Sequence, residues 1–324
     1  MDENRKCFES NIKVCSGWAG VTKAFDQLPK PAIRRDGYGQ TYPEGWIYRG
    51  HESHCYHLKP SIERACPDDE WALMEDKVLR EFQAKAPLHI KPSLLPPAGP
   101  NYRLSWLAIM QHYGAPTRLL DFTYSPYVAL YFALRNRHEG NARKGSARHA
   151  EVWGIDAVAV QQQASKISKE ADKKERDNQG PAKKGGRVSL REEDLSWPRQ
   201  IEQDNVDHWD MAISKALIPG GLRRAHFNRN GLVAVALPPV QNLRLSSQQG
   251  VFLFNGAEDL SFESSLELMM GSRGNRWYKR FRIREKDIHM IEEQLFQMNV
   301  HHLSLFPDTE GLAGFVRQKI RLHW

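Results

Sequence analysis

Apolar positions along this chain recur in two rhythms. Spacings of three and four mark helices; alternation or a short unbroken run marks strands. Trp18, Val21, Ala24, Phe25 and Leu28 predict an amphipathic helix over 16–28. Trp71, Met74, Val78 and Phe82 share one face of a second, over 67–86, whose acidic start suits the positive end of a helix. Trp106, Ile109, Met110 and Tyr113 face inward from a helix over 102–113. Ala129, Phe132 and Ala133 do so from one over 126–134, and Ile288, Ile291, Leu295 and Met298 from one over 287–298. Apolar runs predict strands at 46–50, 117–123, 152–155, 232–237, 251–254 and 277–283. The Pro-rich and Gly-rich stretches 29–45 and 87–100 read as loops.

Between about 161 and 196, Lys, Glu, Asp, Gln and Gly displace the large apolar residues. Such a composition buries too little surface to offset chain entropy, which predicts a charged insertion, partly helical or mobile. Core signal returns over 209–218. Helices and strands in irregular order, without an internal repeat, predict an α+β fold.

The chain's 324 residues suffice for one large domain with a substantial core. No apolar run nears the roughly 20 residues of a membrane span, and the first residues lack a secretory pattern. Cys7, Cys15, Cys55 and Cys66 have no CxxC spacing and read as reduced thiols of a cytoplasmic protein. Cys55 with His51, His54 and His57 has donor chemistry for a metal. It sits in a polar loop without a second ligand pair, so no metal is assigned. A formal net charge of +7 favours anionic partners, a nucleotide or nucleic acid. Basic residues gather over 166–191 and at Arg273, Arg276, Lys279, Arg280, Arg282 and Arg284; the plainer reading is a solvated loop and a solvent-facing strand.

The densest chemistry lies in 112–126. Gly114 suits the left-handed end of a helix, Pro116 stops it, and Ser125 with Pro126 starts the next. The strand between them carries Arg118 and Asp121, groups rarely buried unless paired or functional. A spacing of three sends them to opposite faces, so each needs its own partner. The helix start also favours anions, and a polar pocket for an anionic ligand is the expectation. Arg49 ends an earlier strand beside Gly50. A planar guanidinium suits a phosphate, and glycine lets a ligand approach the backbone; the alternative is a structural pair of Arg49 with Asp121. His112 and Tyr113 either stack on a base, with His112 moving a proton, or simply close the helix.

Together these segments resemble the FRG-domain family, named for its Phe/Tyr-Arg-Gly signature. Tyr48-Arg49-Gly50 carries the signature. The residues from Leu58 to Ile62, Gln111 to Thr123, Ser125 to Ala133, Gln249 to Phe252 and Leu303 to Asp308 extend it. The resemblance spans roughly 16–316, leaving 1–15 and 317–324 as tails and setting the insertion apart. A more distant likeness is to ADP-ribosyltransferases, through Arg49 beside Gly50, then Thr123 and Ser125, then the Pro-x-x-Ala-x-x-Phe-Ala pattern of 126–133.

That likeness implies a single domain with a split, mostly antiparallel sheet, and an NAD-type site. It implies Arg49 on the diphosphate or a ribose, and Thr123 and Ser125 on the nicotinamide ribose. Gln249, or a nearby carboxylate, would stand at the oxocarbenium-like centre. The family has Glu there, and an amide lacks its charge. The catalytic candidates are Gln249, Arg118 and His112. The cofactor-binding candidates are Arg49, Gly50, Tyr113, Asp121, Thr123 and Ser125. NAD is the implied cofactor, and ADP-ribosyl transfer or NAD glycohydrolysis, in a toxin or defence setting, the implied activity. The other reading is a non-catalytic module for a nucleotide or RNA, with the basic stretches on phosphates.

Overall fold

The chain is seen here in a computed structural model that describes residues 8, 10–28, 32–35, 41–66, 70–96, 102–136, 149–178, 221–236, 243–271 and 276–323. Along it run β1 (Ile12–Cys15), α1 (Gly17–Asp26), β2 (Ala32–Arg35), β3 (Thr41–Glu44), β4 (Trp46–His51), α2 (Ser61–Ala65) and α3 (Trp71–Lys85). Then come α4 (Arg103–His112), β5 (Leu119–Thr123), α5 (Pro126–Leu134), β6 (His149–Asp156), α6 (Ala157–Asn178), α7 (Gly221–Asn230), β7 (Val233–Ala236) and α8 (Leu243–Ser247). The last are β8 (Gly250–Asn255), α9 (Phe262–Met270), β9 (Tyr278–Arg284), α10 (Ile288–Gln297), α11 (His302–Leu305) and α12 (Thr309–Arg321). The fold is α+β.

Seven strands form one sheet in the order β1-β9-β6-β4-β5-β8-β7. β1 is parallel to β9 and the other neighbours are antiparallel, so the sheet is mixed. Alternation divides the side chains between two cores. Ile47, Trp153 and Ile155 join one, under α3, α4, α6 and α9. Trp46, Tyr48, Ala150 and Val152 join the other, under α1, α5 and α10. Among the described residues no helix is long and apolar enough to cross a membrane.

The sheet has a seam. β4 matches β6 from Trp46 to His51, yet it shares one pair with β5, Tyr48 with Thr123. Past that pair the two strands part.

Four local readings change. β1 forms within the segment expected as an N-terminal tail, and residues expected in a loop form the β2–β3 hairpin. α6 occupies the start of the expected insertion because Val160, Ala164, Ile167 and Ala171 recur on one buried face, small apolar groups hidden in a polar composition. The rest of that insertion, and the core signal at 209–218, lie outside the described residues. β9 is an interior strand, not a solvent-facing one. Arg280 is buried on it and, with Arg282, bonds Glu151; Arg284 bonds Asp287. These arginines are committed to carboxylates rather than offered to nucleic-acid phosphates.

Candidate functional site

The parting of β4 from β5 opens a cavity of about 650 Å³. Its walls come from the end of β4 and the loop after it, from α2, α4, β5 and α5, and from α8 and β8. Arg49, Lys59, Arg64, Arg135 and Arg244 face it, against the carboxylates of Glu52 and Asp121. Phe122, Phe132, Leu245 and Phe252 supply apolar wall.

Arg49 is fixed at the seam. Its Nε donates to His51 Nε2 at 3.1 Å and its Nη1 to the Asp121 carbonyl at 2.6 Å. The second contact takes the place of a ladder bond that the diverging strands no longer make. A guanidinium has five N–H donors, so others remain to face the cavity. His51 is buried and accepts on Nε2, so its proton sits on Nδ1. Burial first, then Arg49 and Arg280, hold His51 well below the ordinary histidine range, and it is neutral at pH 7. Asp121 is largely exposed; Gln111 Nε2 donates to its Oδ2 at 2.9 Å. His112 also faces the cavity, and burial followed by Arg244 pulls it below its ordinary value. The positive character of the site therefore rests on arginine and lysine.

Comparison with known proteins fits this region. Residues 44–142 match the family model of the FRG domain. Over that segment the chain is similar to the FRG domain. No curated protein and no solved structure matches it. The FRG match contains every cavity residue from Tyr48 to Arg135; Arg244, Leu245, Gln248 and Phe252 complete the wall from beyond it.

The expected site residues separate. Arg49, Gly50, His112, Asp121 and Thr123 line the cavity together. Gly50 has a different reason to be glycine than a ligand's approach. A Cβ there would stand 2.0 Å from the Ala129 carbonyl and 2.5 Å from the Ala133 nitrogen, so it is α5 that comes close. Thr123 is already engaged: its hydroxyl donates to the Gln248 carbonyl at 2.7 Å and accepts from the Ser125 nitrogen. Ser125 is an N-cap, accepting from the Val128 nitrogen, and is absent from the lining.

Arg118, expected among the catalytic groups, lies instead in the core. It is 1% exposed, bonded through Nε to Glu75 at 2.6 Å, and stacked over Trp71. Tyr113 is 57% exposed and outside the lining. Gln249 is also exposed and outside it. A φ of 48° turns the chain there into β8, and its neighbour Gln248 takes the wall position. The expected oxocarbenium-stabilising amide is thus missing from the cavity.

Sequence reasoning missed Arg64, Arg135 and Arg244. Each reads locally as a surface helix cation, and only tertiary packing gathers them. Among the described residues no group of three His, Cys, Asp or Glu side chains is placed to hold a metal. His57, in the loop after β4, bonds Glu263 at 2.6 Å, and His51, at the end of β4, is held by Arg49.

Proposed function

We propose that the cavity binds an anionic nucleotide, with NAD as its ligand, and acts on the glycosidic bond to nicotinamide. What carries the reading is the excess of arginine and lysine over carboxylate around one hollow beside apolar wall. A guanidinium held in place recognises a diphosphate without losing rotamer freedom on binding, and Phe132, Phe252 and Leu245 offer surface for a base. Since Gln249 faces away, the carboxylate for an oxocarbenium-like centre is Asp121, positioned by Gln111. The seam between β4 and β5 is in keeping with the distant likeness to ADP-ribosyltransferases. Calorimetric titration with NAD, and chromatography for released nicotinamide, test the reading. Arg49→Ala should weaken NAD binding, and Asp121→Asn should keep binding while stopping release. Absence of NAD binding by the wild-type protein would overturn it.

A second reading, a nucleotide-binding module without turnover, is favoured by the missing amide. It predicts NAD binding with no release in any variant.

A further inference from the structure

Two cavity arginines converge on one aromatic ring. The guanidinium of Arg244 stands 4.5 Å from the centroid of Phe306, and that of Arg135 stands 5.6 Å from it. Arg135 also lies over Phe132, at 5.0 Å. Phe306 is 5% exposed and is itself fixed: His302 stacks on it, and His302 Nδ1 is 2.6 Å from the Tyr131 hydroxyl. Both guanidinium groups are half-buried, and an anion meeting them would offset their mutual repulsion. Among the described residues no carboxylate oxygen comes within 4.0 Å of either, in contrast to Arg118, Arg280 and Arg282, each of which has a carboxylate. Arg49, by contrast, is already bonded to His51 and to the Asp121 carbonyl.

We propose that Arg135 and Arg244, carried on Phe306, form a diphosphate-binding subsite of the cavity. It assigns the diphosphate of the proposed nucleotide to this pair rather than to Arg49, and to that extent it rests on the nucleotide reading. The chemistry is that of planar donors meeting phosphoryl oxygens, with the ring keeping both side chains from collapsing onto the wall. Arg244 lies beyond the FRG match, so the subsite is complete only when the later part of the chain closes the cavity.

Inorganic pyrophosphate, titrated calorimetrically into the full chain at low salt, tests the subsite without a nucleotide. Arg244→Gln and Arg135→Gln should each weaken binding about tenfold, the loss of one charge-assisted contact. Arg49→Gln should weaken it less than threefold. Phe306→Leu, which keeps both charges but removes their support, should weaken it between these limits. The arginine variants decide the matter if that core change fails to fold. Wild-type protein that does not bind pyrophosphate overturns the proposal. So does binding that Arg49→Gln destroys and the Arg135→Gln/Arg244→Gln double variant leaves intact. If pyrophosphate binds through this pair and NAD does not bind, the subsite stands and the nucleotide reading falls.

Discussion

Arg49 Nη1 donates to the Asp121 main-chain carbonyl at 2.6 Å, reaching β5 where the ladder of paired strands has ended. The bond is to backbone, so the two residues should respond differently to substitution. Arg49→Ala should cost about 1–3 kcal/mol of stability, leaving a carbonyl and His51 Nε2 without their donor. Asp121→Asn keeps the carbonyl and removes only an exposed charge 4.0 Å from Arg49, so it should cost under about 1 kcal/mol. Urea unfolding of the two variants checks this; equal losses would place the attraction in the carboxylate.

Arg118 and Glu75 should behave as a buried pair. Arg118→Ala leaves Glu75, which is 0% exposed, with Arg103 as its remaining cation, and should cost about 3–5 kcal/mol. Changing both to leucine should cost clearly less than the two single changes added together. Ligand affinity of the folded variants should stay at the wild-type value, since neither residue lines the cavity. An affinity loss with stability intact would return Arg118 to the site.

Gly50→Ala forces α5 away from β4. With the Ala129 carbonyl 2.0 Å from the added methyl, and backbone unable to swing aside, the loss should be about 3 kcal/mol or more. Thermal melting measures it. A variant as stable as wild type would show that the helix shifts freely on the strand.

Glu63 makes stability depend on pH. Its carboxylate accepts from the Phe262 nitrogen at the start of α9, but burial outweighs that bond and pushes the group up to about 7. In the unfolded chain a glutamate titrates near 4.3. Between these values the folded protein holds the extra proton, so stability is highest below the unfolded value and falls as pH rises toward 7. The group's share of that fall is roughly 2–4 kcal/mol. Glu63→Gln should flatten the slope across pH 5–8 and exceed wild type in stability at pH 8. An unchanged slope in urea titrations would assign it to other groups.

Much of the frame is legible from local signals. Gly114 takes a φ of 80° at the end of α4, and Ser125 caps α5 as its hydroxyl and the following proline predict. Arg118 and Asp121 do face opposite ways, the first to the core and the second to the cavity rim. The partner of Arg118 was hidden because apolar counting favours Met74 on the inner face of α3. In fact Glu75 is buried there and Met74 is 38% exposed. Two adjacent glutamines before β8 cannot be told apart by pattern, and the left-handed turn at Gln249 decides which one faces inward. Arg64, Arg135 and Arg244 come from three separate helical segments and meet only through packing, which no spacing along the chain encodes.

Because the Arg49 side chain already bridges the seam, its stillness is supplied by folding rather than by any visitor. Intolerance of change at this position is therefore ambiguous on its own: a failed variant has lost cohesion between two halves of a sheet as well as a contact. A lysine in its place separates the two roles, keeping a positive charge while giving up the planar fork that reaches His51 and the Asp121 carbonyl at once.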